Sequence, residues 1–287
     1  MLAKCLETTE MVDFYAMKCK EEIIKKDLKP ILAIIVAGEY SAASSVYVRN
    51  KIKTAERFGV EVRLFDLDWQ DAEREEFRNN LFNLIDDLNR DEDVNGIICQ
   101  LPMPDFVTED ELSDRISPEK DVDGFHVKSL GGVLRGNSFF TPCTPLGAML
   151  LMEYFNLDVV GKHCVVVGRS NILGKPLANL LINKGATVTV CNSKTKELHN
   201  VTKQGDFVFL CTGNPKMFTK KYFKSDSIVI DFGMNRDTKG KLCGDLHIDN
   251  VKNKITAYTP TPRGTGPLTI VALMINTIRA YKKQNNI

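Results

Sequence analysis

Tyr47 and Lys51 stand four residues apart, Gln100 closes an apolar run just ahead of two prolines, and Asp121 and Asp123 flank a valine in a glycine-containing segment. On a helix, residues at i and i+4 share a face, so the Tyr47 ring and the Lys51 amine would point the same way. On a buried face, desolvation of the ammonium lowers the lysine pKa toward the range of a general base or proton shuttle. A solvated helix face is the plain alternative for Y-x-x-x-K. Gln100 would end a buried strand, and in open α/β sheets the carboxyl ends of strands line the binding crevice. An amide there can hydrogen-bond a catalytic group. In extended chain Asp121 and Asp123 face opposite ways, so one can reach a ligand while the other caps a turn.

A second cluster begins at His163-Cys-Val-Val-Val-Gly168-Arg-Ser-Asn-Ile-Leu-Gly174-Lys-Pro176, which reads as strand, glycine loop and helix. Such a loop aims backbone N–H groups and a positive helix end at a pyrophosphate, and Pro176 suits a first helical turn. The dinucleotide pattern G-x-G-x-x-G is not matched. A Walker A loop is missed by one residue between the glycines and by Pro176 where the metal-binding hydroxyl should stand, which argues against a nucleoside triphosphatase. Nucleotide binding and a structural turn both remain open on glycine spacing. After the next strand, Thr187–Cys191, comes Asn192-Ser193-Lys194 in place of the acid that binds the ribose hydroxyls of NAD. Ser193 can donate to a 2′-phosphate, and Arg169 and Lys194 can neutralise it, which favours NADP over NAD. Otherwise Ser193 and Lys194 cap the following helix.

The elements that must hold these residues alternate. Helices are expected at Glu7–Lys26, Ser45–Phe58 and Asp71–Leu88, and strands at Pro30–Ala37, Val60–Leu67 and Val94–Gln100, with a small-residue loop after Gly38. This half is expected to pair in parallel. Pro118–Pro145 is expected to be loop-rich and to contain the boundary between two α/β lobes. Beyond it, helices are expected at Leu146–Phe155, Lys175–Lys184, Lys196–Thr202 and Leu268–Lys283, and strands at His163–Val167, Thr187–Cys191, Asp206–Cys211 and Ile228–Phe232. The expected division is 1–136, completed by the C-terminal helix 265–287, against 137–264.

Lysine and arginine number 38 and acids 37, a net charge of +1, so no basic excess speaks for nucleic acid or a membrane surface. The longest uncharged apolar run, near Ile31–Gly38, is far short of the roughly 20 residues that span a bilayer. Glu7, Glu10 and Asp13 argue against a signal or transit peptide, so the cytoplasm is expected. The eight cysteines form no C-x-x-C pair and the four histidines are scattered. The cysteines are read as small buried hydrophobes, and no metal site is expected.

Taken in order, Tyr47-Val-Arg-Asn-Lys51, Gln100-Leu-Pro-Met-Pro104, Lys120-Asp-Val-Asp123-Gly-Phe, Thr141-Pro-Cys-Thr-Pro145, Val167-Gly-Arg-Ser170 through Pro176, Cys191-Asn-Ser-Lys-Thr195, Ile230-Asp-Phe-Gly-Met234-Asn and Thr259-Pro-Thr-Pro-Arg-Gly-Thr-Gly-Pro267 resemble the bifunctional methylenetetrahydrofolate dehydrogenase/methenyltetrahydrofolate cyclohydrolase (FolD) family over nearly the whole chain. The resemblance implies two α/β lobes around a cleft, a smaller N-terminal catalytic lobe and a C-terminal Rossmann-like NAD(P)-binding lobe. It implies NADP-dependent oxidation of 5,10-methylenetetrahydrofolate and hydrolysis of the product to 10-formyltetrahydrofolate, in one-carbon metabolism, by a homodimer. Lys51 would be the central catalytic group, with Tyr47 against the folate, Gln100 orienting the lysine and Asp123 on the pterin. Cys99, Leu101, Pro262, Gly264, Gly266 and Pro267 would border the folate, and Gly168, Arg169, Ser170, Ser193 and Met234 would contact NADP. Short-chain dehydrogenases also use Y-x-x-x-K, but there the pair follows the nucleotide loop.

The chain departs from the family pattern at Arg263 and Thr265, where Pro-Gly-Gly-Val-Gly-Pro usually stands, and at Asn192, where many relatives have histidine. If the replaced glycine needed a positive φ, Arg263 carries strain. Two other readings remain: an amino- or hydroxy-acid dehydrogenase, and a non-enzymatic nucleotide-sensing module.

Overall fold

A computed structural model describes residues 2–37, 42–68 and 73–287, side chains excepted at 42–46. The loop expected after Gly38 and the start of the helix expected at Asp71 lie outside the described residues. Two compact units divide the chain. One comprises Phe14–Gly132, Ser138–Cys143 and Ile270–Ile287; the other comprises Met1–Asp13, Val133–Asn137 and Thr144–Thr269. They are called here the lysine unit and the glycine-loop unit.

The lysine unit is built on a three-stranded parallel sheet in the order Glu61–Leu67, Ile31–Ala37, Gly96–Cys99. Ile31–Val36 is buried at every position, as a parallel strand covered on both faces must be. Helix Arg74–Arg90 packs Phe77, Leu81, Ile85 and Leu88, a 3.6-residue stripe, into a core with Ala33, Ile35 and Ile97. Helix Ala42–Phe58 buries Val48, Lys51, Ala55 and Phe58 and exposes Asn50. Lys51 therefore lies on the buried stripe, and the solvated-face reading fails.

Pro118–Pro145 is less loop-rich than expected, because it contains helix Val127–Arg135. Gly131 and Gly132 in its middle lower helix propensity and mask the spacing of Leu130, Val133 and Leu134. Helix Glu109–Arg115 was also not anticipated, although Thr108 and Glu111 form a capping box legible as T-x-x-E.

In the glycine-loop unit six parallel strands run in the order Lys4–Cys5, Ala257–Tyr258, Ile228–Asp231, Phe207–Leu210, His163–Val167, Thr187–Cys191. The expected strands at 163–167 and 187–191 are found at those bounds. Residues 1–13, which the expected division left in the first lobe, cluster here because Lys4 and Cys5 pair with Ala257 and Tyr258. An antiparallel pair, Asn235–Arg236 with Leu242–Cys243, follows the strand Ile228–Asp231. From His163–Val167 the chain goes first to the strand on one side and then to Phe207–Leu210 on the other. The carboxyl ends of His163–Val167 and Phe207–Leu210 thus flank a topological switch point, where doubly wound sheets bind ligands. No described helix is long and apolar enough to cross a membrane.

Candidate active site

Lys51 is 7% exposed, and its Nζ donates to Gln100 Oε1 over 2.8 Å. Gln100 follows the strand Gly96–Cys99, and its own N–H donates to Ile35 O at 2.8 Å, so the sheet register sets its position. Its Nε2 donates to Leu101 O at 2.7 Å, which turns the amide so that only its oxygen faces the amine. The Lys51 Nζ lies 5.1 Å from the Tyr47 ring centroid, one helical turn away. Burial lowers the Lys51 pKa, opposed by the charge of Asp123. The same burial, with Asp123 adding, pushes the Tyr47 phenol up to about 12.

The structure separates the two aspartates of the Asp121-Val-Asp123 segment. Asp121 accepts from the N–H groups of Gly124, Phe125 and His126 and from Ser129 Oγ at 2.9–3.2 Å, so it is the turn cap. Asp123 is the one that interacts with Lys51. Burial raises its pKa, opposed first by the Lys51 charge. Cys99, next to Gln100, is half-buried, and burial with the Asp123 charge pushes its thiol up to about 12. Leu101 is exposed.

Two participants escaped the sequence reading. Cys143 is more than a small hydrophobe: its Sγ donates to Val122 O at 3.3 Å and lies beside Asp123. Asn276, fully buried on helix Gly266–Gln284, donates from Nδ2 to Val122 O at 2.8 Å and to Thr141 O at 3.0 Å, which clips the Asp123 turn to the Cys143 segment. A polar residue inside an apolar helical stripe was the available signal. The cluster thus holds an amine of lowered basicity, an amide that fixes it and a carboxylate beside it. That arrangement can move a proton.

In the glycine-loop unit, Gly168 continues the strand by donating to Cys191 O at 2.9 Å, then turns at φ +139°. A Cβ there would stand 2.5 Å from Cys211 O, so only glycine fits. Helix Gly174–Asn183 opens with its first N–H groups turned back to Ser170, through Gly174 N to Oγ (3.4 Å) and Lys175 N to the carbonyl (3.1 Å). Arg169 and Ser170 are exposed at this turn, and so is Ser193. After Thr187–Cys191 the turn is closed by Asn192 N donating to Thr195 Oγ1 (2.9 Å) and Lys194 N to Asn192 Oδ1 (2.9 Å). These residues place hydroxyl, guanidinium and ammonium groups at the strand ends with no carboxylate among them, a donor set that fits a phosphorylated dinucleotide. Among the described residues no three His, Cys, Asp or Glu side chains are grouped to hold a metal.

The 259–267 loop belongs to the same unit at Pro262, Gly264 and Gly266, with Pro267 opening the last helix. A Cβ on Gly266 would stand 3.2 Å from Met234 Sδ, so Met234 lies against this loop while 59% exposed. Arg263 has φ +69°, a left-handed conformation that costs a non-glycine residue about 1–2 kcal/mol. The strain expected for it is present. Thr8 holds the loop: its Oγ1 donates to Gly264 O at 2.7 Å and its N–H to Arg263 O at 3.0 Å, while Glu7 pairs with the Arg263 guanidinium at 2.9 Å.

A family model described as tetrahydrofolate dehydrogenase/cyclohydrolase, catalytic domain, matches residues 6–123, and one described as its NAD(P)-binding domain matches residues 142–285. The chain is 45% identical to the bifunctional protein FolD of Agathobacter rectalis over 91% of its own length and 92% of that protein. The crystal structure of the bifunctional enzyme FolD from Campylobacter jejuni superposes with a TM-score of 0.93 at 36% identity, covering 99% of this chain and all of that one. The FolD of Trypanosoma brucei, complexed with NADP cofactor and inhibitor, superposes with a TM-score of 0.91 at 28% identity over the whole of both chains.

Proposed function

The chain belongs to the tetrahydrofolate dehydrogenase/cyclohydrolase family, and on that premise we propose how its residues divide two consecutive reactions. The protein oxidises 5,10-methylenetetrahydrofolate to the methenyl cation with NADP and hydrolyses that cation to 10-formyltetrahydrofolate. Bound NADP supplies the acceptor for the hydride that leaves the methylene bridge. We assign its binding to Gly168, Arg169, Ser170, Ser193 and Met234, with NADP preferred over NAD because the Asn192–Thr195 turn offers no carboxylate to a ribose. The folate is assigned to Tyr47, Lys51, Cys99, Gln100, Leu101, Asp123, Pro262, Gly264, Gly266 and Pro267. We place the protein in the cytoplasm as a homodimer.

The observation that carries this reading is the buried Lys51 amine held 2.8 Å from Gln100 Oε1. A fixed ammonium beside a cationic substrate would be repelled, and burial favours the neutral amine instead. In hydrolysis, water adds to the methenyl carbon, the amine takes the first proton that water sheds and passes it to N5 as the carbon–N5 bond breaks, and the carbinol hydroxyl gives up the second proton to solvent as it becomes the formyl carbonyl. Gln100 keeps the amine in place by accepting one of its N–H groups. Tyr47 offers a flat apolar face, and Asp123 a carboxylate for the N–H edge of the pterin. The test is spectrophotometric: purified protein with methylenetetrahydrofolate and either NADP or NAD, followed by decay of methenyltetrahydrofolate absorbance. Faster reduction of NADP is expected. Absence of reduction with both cofactors would sink the reading.

A further inference from the structure

The crevice at the switch point has a second wall that no glycine motif marks. Strand Phe207–Leu210 leads through Cys211, which faces Gly168, into Thr212-Gly213; strand Ile228–Asp231 leads into Gly233-Met234-Asn235. Both turns end on two buried carboxylates. Asp245 Oδ2 accepts from Thr212 N (2.7 Å), Thr212 Oγ1 (2.8 Å) and Gly213 N (3.1 Å), and its Oδ1 accepts from Asn235 Nδ2 (2.8 Å). Asp231 Oδ1 accepts from Gly233 N (2.8 Å) and from the N–H of Asp245 itself (3.2 Å), and its Oδ2 from Leu246 N (2.9 Å). Gly244 is the residue that lets the second segment approach, because a Cβ there would overlap the Asp231 carboxylate.

We propose that Asp231 and Asp245 act in series as positioning residues for the dehydrogenase reaction, with Asp245 fixing Thr212-Gly213 and Met234-Asn235 as the far wall of the NADP crevice. This rests on the assignment of the cofactor to the switch point. Asp245 is 0% and Asp231 1% exposed, and every donor named above is a neutral N–H or O–H group. Burying two carboxylates on neutral donors is costly unless their geometry is used, since unpaired charge in the interior is the expensive case. Burial pushes Asp231 up to about 7 against the pull of the Leu246 and Gly233 N–H groups. The use is visible in the topology: the carboxylates join the ends of two adjacent strands that share no backbone turn. Thr265 Oγ1, donating to Asp231 O at 2.8 Å, ties the 259–267 loop to the same point.

Asp245→Asn tests this, because an amide has one accepting and one donating end where the carboxylate accepts at both. It satisfies either the Thr212-Gly213 donors or Asn235, but not both. In the full chain, KM for NADP is expected to rise at least about tenfold, as for a lost hydrogen bond to a charged group. Hydrolysis of methenyltetrahydrofolate, which needs no cofactor, is expected to stay within about twofold of its original rate, and this also reports folding. The double variant Asp245→Asn/Asn235→Asp exchanges donor and acceptor and is expected to recover most of the NADP affinity. The proposal is overturned if KM for NADP is unchanged, if both activities fall in parallel, or if the exchange rescues nothing. Should Asp245→Asn not fold, Asn235→Ala removes one of the four bonds; a several-fold rise in KM for NADP alone supports the proposal, and an unchanged KM overturns it. Wild-type protein that reduces neither cofactor would instead refute the functional reading, before any variant is compared.

Discussion

The lysine unit and the glycine-loop unit build their sites from different materials. In the first, the working groups are side chains of particular types, drawn from a helix, a strand end and a loop: Lys51 held by Gln100, with Asp123 alongside. In the second, exposed side chains such as Arg169, Ser170 and Ser193 are presented by a backbone frame, a turn at Gly168 and strand ends whose N–H groups are held by buried oxygens. Side-chain chemistry tolerates small shifts of shape but not a change of functional group. A backbone cradle tolerates many side chains but not an added methyl group. The two units should therefore fail in different reactions and for different reasons.

The largest effect is expected at Lys51. Lys51→Met keeps the length and removes the amine, and hydrolysis of methenyltetrahydrofolate should fall by a factor of about 10²–10⁴, the usual worth of a positioned acid–base group. Wild-type hydrolysis should itself decline as the pH falls, because the neutral amine is present above the lowered folded pKa of Lys51 and is lost below it. A kcat–pH profile with no acid limb would contradict a neutral-amine role.

Gly168→Val is the counterpart in the other unit. Its Cβ would press on Cys211 O at 2.5 Å and its φ is unfavourable for a β-branched residue. NADP-dependent reduction should drop by about tenfold or more, taking a few kcal/mol of misfit at 1.4 kcal/mol per decade, while cofactor-free hydrolysis persists. Equal loss of both activities would erase the contrast between the units.

Asn276→Ala sharpens the comparison within the lysine unit. It takes the amide donor from the carbonyls of Thr141 and of Val122, which keeps only the weak Cys143 thiol, at about 1–3 kcal/mol. Hydrolysis should fall several-fold beyond the loss of folded protein. Thr277→Val is the control: that hydroxyl is equally buried but donates to Leu273 O in its own helix at 2.9 Å. It should lower stability in urea without touching kcat.

The smallest effect is expected at Arg263. Arg263→Gly relieves the left-handed strain at φ +69° but gives up an exposed pair with Glu7, worth about 0–1 kcal/mol. A net gain of up to about 1 kcal/mol is expected, read as a modest rise in Tm. A clear loss would mean that the Thr8–Glu7 clasp depends on the arginine more than its geometry indicates.

Legibility in the sequence followed the range of the interactions. The strand Ile31–Ala37 was readable because a seven-residue apolar run has few other uses, and His163–Val167 because Gly168 punctuates it. Helix Val127–Arg135 was not, since its two glycines argue locally against the helix that packing sustains. Tyr47, Lys51 and Gln100 could be selected from type and spacing and Asp121 and Asp123 as a pair, whereas Asn276 offered only its polarity within an apolar helical stripe, because its partners lie more than a hundred residues away in the chain. Nor could Asp231 and Asp245 be singled out, as nothing local separates a carboxylate that organises two strand ends from a solvated one.

The amino-acid order by itself determined the parts: an amine and a ring one helical turn apart, an amide at a strand end, a glycine turn after an apolar strand and no acid after the next. Only the tertiary structure decided which face of helix Ala42–Phe58 is covered, which of Asp121 and Asp123 meets the lysine, and what closes the far side of the glycine turn. The physical reason is that desolvation and electrostatic coupling act between groups close in space. Chain order specifies periodicity and covalent neighbours, whereas the lowered basicity of Lys51 exists only once folding has displaced water from around it.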